Sequence, residues 1–112
     1  MSNDRRIDLR QLPQPSTADL DLVRVLSALA DPVRLELVRA LAGVREPLSC
    51  SVDKFDVEIT AATLSHHWKV LRDSGVTTTF ASGRNRLVEL RRDDLAERFP
   101  GLLDAVLADT TR

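Results

Sequence analysis

The sequence predicts a mainly α fold of the α+β class, with about five helices and a two-stranded hairpin placed before the last of them. Three observations carry the prediction. Asp31-Pro32 opens and Gly43 closes an apolar run of helical spacing, because the carboxylate accepts from free amides, proline suits a first turn and glycine suits a helix end. Residues 61–73 gather their apolar side chains on one arc and stop at Gly75. The β-branched and aromatic run Val76 to Phe80, and then Leu87, Val88 and Leu90, flank a turn made by Ser82, Gly83, Arg84 and Asn85.

A chain of 112 residues, 43% hydrophobic and 29% charged, has the size and composition of one water-soluble domain. Residues 1–17, with Pro13 and Pro15 and no sustained period, read as a flexible arm, leaving 18–112 as the domain. No apolar stretch is long enough to span a bilayer. Asp4, Arg5, Arg6, Asp8 and Arg10 interrupt the N-terminus, so it lacks the hydrophobic centre of a secretory signal and a cytoplasmic protein is expected. Cys50, the single cysteine, suits a reducing compartment. The net charge of −1 hides a basic island, in which Lys69, Arg72, Arg84, Arg86, Arg91 and Arg92 face only Asp73 and Glu89.

In chain order, Leu20, Val23, Leu26 and Leu29 recur on one stripe of a first helix, capped by Thr17 or Asp19. The second helix carries Val33, Leu35, Leu37, Val38 and Leu41. Between residues 48 and 59, Val52, Phe55, Val57 and Ile59 fit a short helix and an extended run almost equally, and the helix is preferred. Thr60 precedes the fourth helix. After the hairpin, Asp93 or Asp94 caps a last helix containing Leu95, Phe99, Leu102, Leu103, Val106 and Leu107, bent at Pro100 and Gly101.

Projected at about 100° per residue, residues 61–73 place Ala61, Leu64, Trp68 and Leu71 on a core arc with His67 and Val70 at its edge. Ala62, Ser65, His66, Lys69, Arg72 and Asp73 form the opposite arc, with Thr63 near its boundary. Short side chains at the leading end let a helix approach base edges, while Lys69 supplies charge to phosphate or guanine. Any solvated helix face is polar, so the context decides. A short helix, a tight connection, a polar-faced helix and a hairpin tipped by Arg84, Asn85 and Arg86 form a winged helix-turn-helix order, with 60–73 as recognition helix and 76–91 as wing.

The stretches LADPVRLELVRAL (Leu29 to Leu41), TLSHHWKVLRDSGV (Thr63 to Val76) and SGRNRLVEL (Ser82 to Leu90) resemble the ArsR/SmtB-type bacterial repressors. The resemblance implies a homodimeric, sequence-specific DNA-binding transcriptional repressor acting at a near-palindromic operator. It implies a dimer interface built by the first and last helices, here Leu20, Val23, Leu102, Leu103, Val106 and Leu107. It also implies DNA contacts from Ser65, His66 and Lys69 and from a wing turn at Arg84 to Arg86. Thr60, Thr63 and Asn85 complete the candidate DNA-binding set.

Many such repressors sense metal through a Cys-x-Cys pair, where this chain reads Ser49, Cys50, Ser51. A second family site needs histidine on the terminal helix, and no histidine follows His67. Adjacent His66 and His67 point about 100° apart, so they do not make a chelating pair. No metal and no cofactor is expected. Cys50 is a candidate redox residue set against the favoured reading of a small buried hydrophobe, and Trp68 reads as core. The chain lacks a glycine-rich phosphate loop and a nucleophile with an oriented base, so an enzyme is not expected. The alternative function is a winged helix used for protein contacts, or a regulator whose effector sensing is supplied by a partner protein.

Overall fold

The computed structural model describes residues 10–51, 55 and 57–108. Five α-helices occur among them: α1 (Leu22–Leu29), α2 (Pro32–Ala42), α3 (Ala61–Ser74), α4 (Arg92–Arg98) and α5 (Leu102–Ala108). Four strands, β1 (Arg10–Gln11), β2 (Leu48–Ser49), β3 (Thr77–Ser82) and β4 (Asn85–Leu90), form one antiparallel sheet in the order β1-β3-β4-β2. This is the expected α+β winged helix-turn-helix fold. The hairpin is the centre of a four-stranded sheet rather than a free two-stranded ribbon, because short strands cover both of its edges.

The Asp31-Pro32 start behaves as the sequence predicts, with the Asp31 carboxylate accepting from the amides of Val33 (2.9 Å) and Arg34 (3.0 Å). At the other end of α2, the Arg92 guanidinium donates to the carbonyls of Leu41, Ala42 and Val44, supplying the positive charge that a helix C-terminus favours. α3 is capped by Thr60, whose hydroxyl accepts from the Thr63 amide at 3.1 Å. It ends at Gly75, left-handed at φ 89°, where the amides of Gly75 and Val76 return to the carbonyls of Arg72 and Leu71.

The first helix differs from its prediction. Asp21, not Thr17 or Asp19, caps it by accepting from the Arg24 amide, and Thr17–Asp19 form a separate 3-10 turn. With the start displaced, the buried stripe is Val25, Ala28 and Leu29, while Val23 (71%) and Leu26 (42%) face outward beside Leu22 (44%). Leu20 precedes the helix and is buried. The expectation of a short helix over 48–59 fails at its start, since Leu48 and Ser49 pair with Val88 and Leu87 of β4. Residues 52–54 and 56 of that stretch lie outside the described residues.

Residues 10–17, expected to lack fixed structure, run along the domain. Arg10 and Gln11 pair with Ala81 and Phe80, and the Leu12 amide reaches the Thr79 carbonyl. The Pro15 carbonyl accepts from Arg91 at 2.8 Å, and the Thr17 hydroxyl donates to Asp94 at 2.7 Å. Arg98 adds bonds to the carbonyls of Thr17 and Ala18. Prolines suit such an extended segment, because it needs few amide donors of its own. The expected bent terminal helix is two helices, α4 and α5, divided at Phe99 to Gly101, where Gly101 has φ 83°. Neither Asp93 nor Asp94 is the cap residue. Arg91 occupies that position, and both acids lie in the first turn of α4. Leu37, Val38, Leu41, Leu64, Leu71, Val76, Val88 and Leu95 fill the core between helices and sheet.

Candidate nucleic-acid interface

α3 turns Leu64, His67, Trp68 and Leu71 inward and leaves Ala62, Thr63, Ser65, His66 and Lys69 exposed. Ala61, expected on the core arc, is exposed, because the first turn of the helix projects beyond the packed body. The outward face therefore begins with small side chains. The hydroxyls of Thr60 and Thr63 bond to each other at 3.0 Å and hold the helix start. Lys69 Nζ lies 2.7 Å from the Asp73 carboxylate on the surface.

The wing tip follows from a two-residue loop of Gly83 and Arg84 between the paired Ser82 and Asn85. Gly83 has φ 62° at the first loop position, a conformation that turns the strands tightly in keeping with their twist. Arg84, Asn85 and Arg86 are all exposed beyond it. Between α3 and the wing lies a groove of about 310 Å³, lined by Ser65, His66, Lys69, Arg72, Thr79 and Arg86 with Cys50 and Trp68 beneath. Among the described residues, its charged lining side chains are all basic. The structure thus brings the α3 candidates Ser65, His66 and Lys69 to one groove with the wing residue Arg86. Thr60, Thr63, Arg84 and Asn85 stand outside its lining, on exposed surface.

The groove has firm walls. The indole Nε1 of Trp68 donates to the Cys50 carbonyl at 3.2 Å, and the Cys50 amide donates to the Arg86 carbonyl at 3.0 Å. Phe55 meets the Trp68 ring edge-on at 5.2 Å between centroids. Burial pushes the Cys50 thiol up to about 11, against the opposing influence of Arg86 and Arg72, so the sulfur is protonated at neutral pH.

Sequence reasoning missed the residue that fixes the inner side of α3. Arg34 donates through Nε to the Ala28 carbonyl (2.7 Å) and through Nη2 to that of Ser27 (3.4 Å). Its Nη1 meets His67 Nδ1 at 3.1 Å. One guanidinium thereby joins α1, α2 and α3. The Asp-Pro-x-Arg pattern was the available signal, but periodicity does not disclose what an arginine reaches.

The contact requires a neutral His67 ring with a free Nδ1 lone pair. Burial lowers the His67 pKa, the Asp31 carboxylate opposes the shift, and the charges of Arg34 and His66 reinforce it. An unfolded chain binds this proton first as pH falls, so the stability contribution is full above about pH 6.5 and drains away as pH falls through the lower folded-state value. Urea midpoints measured between about pH 7.5 and 5 should fall toward acid in the natural protein, and His67→Gln should remove much of that slope. Identical slopes would exclude His67 as their source.

Of the residues assigned to a dimer interface, Val23 is exposed, and Leu102, Leu103, Val106 and Leu107 are half-buried against the core. Leu20 is 3% exposed and packs inside the domain beside Gly75. The outward Leu22 and Leu26 adjoin Val23; the sequence placed Leu26 on the helix stripe and did not single out Leu22. No described helix is long and apolar enough to cross a membrane.

Residues 29–79, which span α2, α3 and the first part of β3, match a family described as a helix-turn-helix domain. The chain is also 34% identical over 83 residues to YceK of Bacillus subtilis (strain 168), an uncharacterized HTH-type transcriptional regulator. That alignment covers 74% of this chain and 83% of YceK.

Proposed function

The chain belongs to the family of helix-turn-helix transcriptional regulators, and on that premise we propose that it is an ArsR-type repressor that binds a near-palindromic operator as a homodimer. α3 enters the major groove with Ser65, His66 and Lys69 toward the bases, while Thr60 and Thr63 lie at its leading end beside the backbone. Arg84, Asn85 and Arg86 reach phosphates or the adjacent minor groove. The single observation that carries this reading is the placement of exposed α3 side chains and an exposed basic wing tip on either side of a groove whose charged residues, among those described, are all cations, in a chain of net charge −1. The exposed Lys69–Asp73 pair is worth little in water and yields to a phosphate or guanine partner.

Dimerisation is supported by the apolar outward face of α1, where Leu22, Val23 and Leu26 are exposed among the described residues. A dimer supplies two recognition helices related by a two-fold axis, hence the near-palindrome.

The test is a salt titration of binding to duplex DNA from upstream of the protein's own coding sequence, with a scrambled duplex as control. Tight, sequence-dependent binding that weakens steeply with salt is expected. Lys69→Ala should cost roughly 1–3 kcal/mol of operator binding with the fold intact. Equal, weak, salt-insensitive binding to both duplexes would overturn the reading.

A further inference from the structure

We propose that the cavity between the segment before α1, the β3-β4 hairpin and the start of α4 binds a small organic cation with N–H donors, a diamine in class, through Glu89 and Thr78. The site lies away from α3 and stands whether or not the chain reads DNA.

The cavity measures about 490 Å³, within the roughly 300–1,000 Å³ of small-molecule sites. Its lining includes Gln14, Glu46, Thr78, Phe80, Glu89 and Asp93. Successive strand residues face opposite ways, so Thr78 turns away from the α3 groove that Thr79 lines. Thr78 and Glu89 are paired directly across the ladder, which sets their side chains on one face with Cβ atoms about 5 Å apart.

Both side chains are uncommitted. Thr78 is 5% exposed, and its hydroxyl makes no hydrogen bond among the described residues. The Oγ1 atoms of Thr77 and Thr79 are sealed from solvent, whereas that of Thr78 is not and opens on the cavity. A buried hydroxyl is normally satisfied, so one left open at a cavity wall marks a place for a hydrogen-bonding ligand. Glu89, half-buried opposite it, makes no ion pair or hydrogen bond through its carboxylate among the described residues.

The sign of the ligand follows from which lining charges are free. Arg91 is spent on Asp94 and the Pro15 carbonyl, and Arg92 on the carbonyls that end α2. Glu46, Glu89 and Asp93 remain against Arg45, an excess of carboxylate. No three acidic, histidine or cysteine side chains among the described residues converge as a metal ion requires. Carboxylates set apart suit the separated ammonium groups of a diamine, and the Phe80 ring adds an aromatic surface that favours an organic cation.

The experiment titrates the full chain with butane-1,4-diamine by calorimetry at constant ionic strength, beside Glu89→Gln, Thr78→Val and, outside the cavity, Glu97→Gln. The natural protein should saturate below about 10 mM. Glu89→Gln should weaken binding at least about tenfold and Thr78→Val about threefold, with Glu97→Gln unchanged. Tetramethylammonium, which has no N–H to donate, should bind at least about tenfold more weakly than the diamine. Both cavity variants should keep the urea midpoint of the natural protein, since neither side chain has a partner to lose.

Absence of saturation, or equal affinity in Glu89→Gln, would overturn the site. A lower urea midpoint in Thr78→Val would show that its hydroxyl already serves the fold and would remove it from the site. Binding of magnesium in place of the diamine, abolished by Glu89→Gln, would assign the carboxylate to a metal and overturn the organic cation.

Discussion

Replacing Gly75 with alanine is expected to lower the unfolding free energy by about 3 kcal/mol, the largest stability loss foreseen from adding one carbon. The residue holds φ 89°, where a side chain costs about 1–2 kcal/mol. The new Cβ would stand 2.0 Å from Leu20 Cδ2 and 3.3 Å from Pro15 Cγ. Leu20 is buried against this point, so it cannot swing aside without leaving the core, and expelling a leucine forfeits roughly 1.5–3 kcal/mol. Urea denaturation checks the result. A loss below about 0.5 kcal/mol would show that Leu20 and the segment before it relax freely around this glycine.

Val23→Asp should leave the fold intact and abolish the dimer, with operator affinity falling at least about a hundredfold, because the second half-site is no longer engaged intramolecularly. The fold is spared because Val23 is 71% exposed and no core packing depends on it. A carboxylate there places an unpaired charge in the centre of the apolar face of Leu22, Val23 and Leu26, where burial is costly. Analytical ultracentrifugation beside a DNA-binding titration separates the two effects. A variant that stays dimeric would place the interface elsewhere on the molecule.

Legibility in the sequence followed the range of the forces involved. Asp31-Pro32, Thr60, Gly75 and the Gly83 turn act on neighbours a few residues away, so their local roles could be read from order alone. The core face of α3 was legible at Leu64, Trp68 and Leu71 for the same reason. Long-range partners were not. Nothing in the arm's composition discloses that Arg10 and Gln11 find an open strand edge at Ala81 and Phe80, or that Arg91 waits for the Pro15 carbonyl. The first helix misled because a three-residue spacing of leucines fits two stripes, and the Asp21 cap together with the small Ala28 selected the other one. At the candidate interface, the exposed α3 residues and wing tip were legible from their polarity. Arg34 was not, because its significance lies in what it reaches across the fold.

The ties joining Pro15, Thr17 and Ala18 to Arg91, Asp94 and Arg98 have a consequence for the order of assembly. They close loops of 76 to 81 residues, so a nascent chain cannot make them until Arg91, Asp94 and Arg98 have been synthesised. The helices can nucleate through local contacts while the segment ahead of them has nothing to fasten to. Closing so long a loop carries its entropic cost to the end of folding, and the same contacts are then the first to be lost on local opening. Residues synthesised before the helices are thus among the last to find their place.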